Sequence, residues 1–473
     1  MTSQTHALLP PDRPSRLDDV PAAPGRLPVL GHLWRLARAP LTFIVDLHTD
    51  RRTRGGITRI DLGPWSIYVL TDPHLVHEML VTKGKSFHRG AFFERARSLI
   101  GDGLAMLSGE HHLRIRRLVQ PAFAHGRMAG YAETVSAQAA ELAGSWRAGQ
   151  VVELDHELDR LFVRTLARVM FSPTLSTTAI DEIVNSLARI TKAAIVRVAA
   201  PTWLTWLPVG ANRSFDRDTR TLHRIVDDIV AQRRRQPSDA HDDLLATLMS
   251  AVDADTGAAL TDEQVRDQAL SILAGVENAG VVVAWAVHAL DRHPDIRARV
   301  EEELAWLTDG DPDHRFEAAE LDSLDYTGRF LREVLRLHAM LLSTRRAVED
   351  VEIGGVLVPA GTELVFSQYG LHRDPVHYPD PLRLDPDRWT PDRIRQSRHD
   401  YLPFGAGAQK CIGDVFAWNE MLIVIATIVH RWRLALPTGF TAREALAVVP
   451  KPRAMPVVLA PRTPSPSTPT DRL

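Results

Sequence analysis

The chain has 473 residues, 45% of them hydrophobic and 24% charged, and a formal net charge of −3. That length buries a substantial core, and the small charge gives no reason to expect nucleic acid or an anionic membrane as a partner. A single cysteine excludes an internal disulfide, a multi-cysteine zinc site and an iron–sulfur cluster, and fits a reducing, cytoplasmic setting.

Residues 1–20 are polar, lack the apolar core of a secretory signal, and are expected to form a flexible tail. The stretch "PAAPGRLPVLGHLWRL" marks entry into the fold near residue 21. In "GGITRIDLGPWSIYVLTDP", β-branched alternation around an "LGP" turn predicts a hairpin. From about residue 105 to 345 most segments have 3.6-residue periodicity, as in "LDRLFVRTLARVMF" and "IVDDIVAQRRR". Short strands return in "VEDVEIGGVLVPAGTELVFS", with Gly354, Gly355 and Gly361 at turns. A long apolar helix, "DVFAWNEMLIVIATIVHRW", follows, and residues 461–473, rich in Pro, Ser and Thr, are expected to be disordered. The pattern predicts a single domain over 21–460, mainly α with a smaller, segregated β part. No run of 18 or more apolar residues occurs, so no membrane anchor is expected.

Cys411 lies in "FGAGAQKCIGD", a turn dense in glycine just before the long helix. Glycine lets the backbone take positive φ and approach a partner closely, and a helix N-terminus favours thiolate over thiol. A thiolate on an open loop suits a soft metal, although a lone cysteine without such context is usually only buried packing. Elsewhere, Glu333 and Arg336 in "LREVLRL" share a helix face at i, i+3, with "DPDRW" following; His112 and Arg116 in "GEHHLRIRRLVQPAF" share one at i, i+4.

Together these motifs resemble the cytochrome P450 family over about residues 24–455. Phe404, Gly407, Cys411 and Gly413 match the family's haem-binding loop, with Gln409 where an arginine or histidine is usual. The resemblance implies an α-helical triangular prism binding haem b, with Cys411 as the axial thiolate ligand to iron. It implies that Glu333, Arg336 and Arg388 form a structural cluster beneath the loop. His112, Arg116 and Arg345 are then expected to bind the haem propionates, with Arg346 competing for the role of Arg345 and Gln409 adding a neutral bond. In the family's oxygen-side helix motif, Gly275 and Glu277 match, but Asn278 replaces the usual threonine. An amide donates and accepts hydrogen bonds but has no hydroxyl to relay a proton.

The implied activity is oxygenation of a hydrophobic small molecule, a terpene or another secondary metabolite, with O2 and electrons from a separate ferredoxin or flavodoxin and its reductase. The alternative is a haem-thiolate protein with other chemistry (coupling, rearrangement or peroxide use) or a non-oxygenating haem binder. Alignment with the family nominates Phe92, Phe93, Trp203, Ala274, Val276, Met340 and Leu341 for the substrate pocket, each competing with plain core packing. Arg114, Arg117 and Lys410 are the candidates for a basic patch facing an acidic redox partner.

Overall fold

The computed structural model describes residues 15–91, 93–94, 97, 101–171, 176–199, 210–236 and 243–462. The predicted hairpin is present: β1 (Ile57–Leu62) and β2 (Trp65–Leu70) pair in antiparallel register about Gly63, whose φ of 64° suits glycine at the turn. With β3 (Phe87–Arg89), β4 (Ser343–Ala347) and β5 (Glu363–Phe366) they form a five-stranded sheet in the order β1-β2-β5-β4-β3. The sheet has its own small core, in which Leu70, Phe87, Ala347, Leu364 and Phe366 are buried.

The large core is helical. Its main members are α1 (Gly109–Val119), α2 (Met128–Ser145), α3 (Leu154–Phe171), α4 (Asp262–Leu273), α5 (Glu277–Arg292), α6 (Asp325–Leu337) and α7 (Asp414–Arg431). Helix α7 packs on α2 and α5, and α3 packs on α5. Its run from Met421 to His430 is buried throughout, as an element apolar on all sides must be. A capping box of Thr261 and Gln264 starts α4. Between α4 and α5 the helical bonding tightens: Gly275 N–H donates to Ile272 O at 3.1 Å and Val276 N–H to Leu273 O at 3.4 Å. The stretch Asp262–Arg292 is long and apolar enough to cross a membrane, but 76% of its most apolar window is buried in this core.

Ordered pairing reaches beyond both predicted domain boundaries. Ser15–Arg16 pairs in parallel with Val356–Leu357, upstream of residue 21. At the other end Pro456–Pro461 pairs with Trp432–Ala435, and Arg462 donates to Glu301 O at 2.7 Å. Tail composition did not disclose that these segments close sheets by backbone bonds, which need no particular side chains.

Candidate active site

Cys411 sits where a tight loop meets the N-terminus of α7. Gly405 and Gly407 take φ of 72° and 70°, and a Cβ on Gly407 would overlap the Leu80 carbonyl oxygen, so the loop lies flat on the Glu78–Thr82 segment. Cys411 N–H donates to Phe404 O at 2.9 Å, closing the loop on itself. The sulfur opens onto an internal cavity whose wall includes Phe404, Gln409 and Gly413. Gly407 is outside that wall, and its contact is with Leu80. Burial raises the Cys411 thiol above the usual value, opposed by the Gly413 backbone and by Arg116 and Lys410. A coordinated metal cation reverses that balance and takes the thiolate.

Beneath the loop, Glu333 and Arg336 are fully buried and joined by two bonds, at 2.7 and 2.8 Å. Glu333 also accepts from Arg388 at 3.3 Å and from the Trp389 indole at 2.8 Å. Arg336 spends its remaining donors on the carbonyls of His372, Pro381 and Arg383. Such a charge is tolerable inside only because every donor has a partner. His372 then links the network to the cysteine loop: its Nδ1–H donates to Arg336 O at 3.2 Å and its Nε2 accepts from Leu402 N–H at 2.9 Å. Burial, followed by Arg336, holds the His372 imidazole down at about 3, consistent with this neutral tautomer.

At the cavity's edge stand Arg89, His112, Arg116 and Arg345. Strand parity separates Arg345 from Arg346, which the sequence could not do. Arg345 points inward and is buried, whereas Arg346 points outward and pairs with Glu94 at 2.6 Å and Glu363 at 3.1 Å. Arg116 donates to Lys410 O at 2.6 Å, tying α1 to the cysteine loop. Burial and then the neighbouring Arg89, Arg116 and Arg345 push the His112 imidazole down to about 4, so it is neutral with one N–H available to donate. Arg89 had escaped the sequence reading. Its signal was parity: Phe87 is buried, so Arg89, two residues on, shares its inward face without an acid beside it in sequence.

Gly275, Val276 and Asn278 line the same cavity, together with Phe93 and Met340. Glu277 opens α5, and its side chain lies outside the description, as do residues Phe92 and Trp203. Two pocket candidates fall outside this lining: Leu341 packs with Ile44 and Tyr369 in a separate cluster, and Ala274 is not among the lining residues although its neighbours Gly275 and Val276 are. Glu420, also missed, is the one acid among the described cavity-lining residues; it is 1% exposed and neither carboxyl oxygen has a partner. A lone acid in the apolar run "EMLIVIA" was its sequence signal.

The residues fit haem, an apolar macrocycle with two carboxylates on one edge. The cavity offers an apolar wall, a sulfur and a rim of inward cationic or N–H donors, with the Arg89 Nε left without a partner. An inward, helix-lined thiol with such a rim, on a mainly helical prism with a small sheet, defines a haem-thiolate oxidoreductase. The chain belongs to the cytochrome P450 family, whose profile matches residues 21–454. Among curated proteins it is 37% identical to cyclooctat-9-en-7-ol 5-monooxygenase of Streptomyces melanosporofaciens, over 96% of this chain and 97% of that one. It is 35% identical to pentalenene oxygenase of Streptomyces avermitilis, over 93% and 97%. Among solved structures, the haem domain of cytochrome P450DA superposes with a TM-score of 0.84 at 27% identity, covering 94% of this chain and 98% of that one. The protein is thus a haem-dependent monooxygenase of the cytochrome P450 type.

Proposed function

We propose that this enzyme oxygenates an apolar small molecule of the terpene kind, with electrons from a separate ferredoxin or flavodoxin and its reductase. The observation that carries the reading is the cavity wall shared by Asn278, built from Phe93, Leu104, Ile272, Val276, Ala279 and Val282. Such a wall binds by removing apolar surface from water. The relatives named for cyclooctat-9-en-7-ol and pentalenene support the same substrate class.

Cys411 would hold the haem iron through its sulfur, and the haem, when bound, would supply the activation of O2. The chain's own residues do the rest. His112, Arg116 and Arg345 hold carboxylates, the apolar wall keeps water from the substrate, and Asn278 holds a water through its carbonyl and NH2 groups. With no hydroxyl at that position, protons pass by way of the held water rather than through the side chain. The test is turnover of a terpene panel with surrogate redox proteins, alongside NADPH-to-product stoichiometry. Asn278→Ala is expected to consume NADPH with less product than wild type, and Asn278→Thr to retain coupling. Equal coupling in Asn278→Ala would remove Asn278 from the proton path, and turnover confined to polar substrates would sink the terpene reading.

A further inference from the structure

We infer that His338, backed by Glu444, accepts a hydrogen bond from a hydroxyl group on the substrate, so that the substrate is a terpene alcohol rather than a bare hydrocarbon. The inference rests on the terpene reading above and narrows it.

His338 follows α6 and stands in the cavity wall with Val282 and Val449. One face of its ring is covered: the Trp285 indole stacks on it with centroids 4.4 Å apart and planes 3° from parallel. The indole is itself fixed, because its N–H donates to Pro450 O at 2.9 Å. One edge of the imidazole is covered too. Nδ1 is buried 3.5 Å from a Glu444 carboxyl oxygen, long for a hydrogen bond, and has no closer partner. Glu444 also accepts from the Tyr369 hydroxyl at 2.9 Å, and Arg373 lies over the Tyr369 ring at 3.5 Å. Burial pulls the Glu444 carboxyl up, but His338, Tyr369 and Arg373 together hold it below the usual range, so it is an anion at neutral pH. Burial, working against Glu444, holds the His338 imidazole down at about 4, so the ring is neutral.

A neutral imidazole carries one proton, and beside an anion that proton sits on the nitrogen that faces it. Nδ1 is then the donor and Nε2 a lone-pair acceptor. Nε2 has no hydrogen-bond partner among the described residues and, unlike Nδ1, is not closed off. The ring therefore presents one polar atom to an otherwise apolar stretch of wall, and that atom takes a proton donor. A hydroxyl supplies one; a hydrocarbon or an ether does not.

The placement suits a substrate held by one end. Glu444 and Val449 belong to one hairpin, in which Glu444–Ala445 pairs with Lys451–Pro452, and Leu341 N–H donates to Val448 O at 2.8 Å, pinning its turn to the segment after α6. Trp285 lies on α5 about two turns beyond Asn278, roughly 10 Å along the axis. A hydroxyl bound at His338 leaves the opposite end of the carbon skeleton toward Asn278. His338 is thus a positioning residue that selects which carbon is oxygenated.

Holoenzymes of wild type, His338→Phe and Glu444→Gln are titrated with menthol, farnesol, cedrol and geranylgeraniol, each beside its methyl ether. Binding is read by the Soret shift and by calorimetry, which does not depend on where the ligand sits relative to the metal. At least one alcohol is expected to bind wild type about tenfold or more tightly than its ether. In His338→Phe, which keeps an aromatic ring against Trp285, that pair should bind alike, because the alcohol weakens and the ether does not. Glu444→Gln, which removes the charge that fixes the tautomer, should lie between. An alcohol preference that survives in His338→Phe would place the hydroxyl elsewhere and overturn the inference, as would the absence of any preference in wild type. Equal weakening of alcohol and ether would make His338 a packing residue only. If nothing in the panel binds, the terpene reading falls and this one with it; if alcohols and ethers bind alike, only the hydroxyl assignment falls. Should His338→Phe fail to fold, the comparison of wild type with Glu444→Gln decides the question.

Discussion

Gly407 has the least freedom of any residue in the cysteine loop. Its positive φ and its contact with the Leu80 carbonyl each exclude a Cβ. Gly407→Ala is expected to lift the loop, cost several kcal/mol on the order of other severe core strains, and give protein without a thiolate-type CO spectrum. Glu420 makes the opposite prediction. Its carboxyl is buried and unpartnered, and burial raises it well above the usual carboxylate range; leaving it so is a burden of about 1–3 kcal/mol. Glu420→Met should therefore raise the melting temperature of the holoenzyme; a fall would show that the carboxyl has a partner when the cavity is filled. Glu333→Gln should do the reverse of Glu420→Met. It leaves the Arg336 charge buried and uncompensated, costing about 3–5 kcal/mol, and is read as lost haem incorporation and a lower melting temperature.

Between elements, one link from α6 toward the cysteine loop runs through a neutral imidazole, that of His372, beside the bond from the Tyr401 hydroxyl to Arg332 O. Protonation would remove the Nε2 lone pair that accepts from Leu402. Burial is the leading cause that holds His48 and His372 down at about 3 and His338 at about 4. In the unfolded chain each titrates near 6.5, so between these values unfolding takes up protons. The stability they contribute is present above pH 6.5 and is lost as pH falls through the window, at about 1.4 kcal/mol per pH unit for each group. Asp159, which burial raises to about 6, works the other way: its cost at neutral pH is relieved as pH falls below 6. These imidazoles, with His112 also held down at about 4, outnumber the raised carboxyls of Asp159 and Glu420 and predict a melting temperature that falls from pH 7 to pH 5. His372→Asn should flatten that slope, while an unchanged slope would exclude His372 as a contributor. This level was only partly legible in the sequence. The cysteine loop, the Glu333–Arg336 pair and the helix carrying His112 and Arg116 announced themselves because local spacing fixes their geometry. The His372 link, the choice between Arg345 and Arg346, and the inward face of Arg89 depend on strand pairing across distant segments, which local spacing does not encode. Leu341 misled because hydrophobicity alone does not say which core a side chain joins.

At the scale of the whole molecule, the basic patch expected at the cysteine side is largely neutralised. Arg114 pairs with the buried Asp253 and Arg117 with Asp255, both at 3.0 Å, and Lys410 pairs with Asp414. Arg114→Glu should therefore lower the melting temperature by stranding Asp253, with little change in the reduction rate of the folded enzyme; a slowed, salt-dependent reduction would restore Arg114 to a docking surface.

The bond from Arg116 to the Lys410 carbonyl joins residues 294 positions apart. During synthesis at about 5–20 residues per second, Arg89, His112 and Arg116 leave the ribosome on the order of tens of seconds before the loop that completes their site. The nascent chain must keep those cations in water through that interval, since neither Arg345 nor Cys411 yet exists to close the pocket around an anion. Capture of the cofactor through Cys411 therefore cannot begin before that loop has been made, and the order in which the chain is made sets the earliest moment at which the enzyme can become holo.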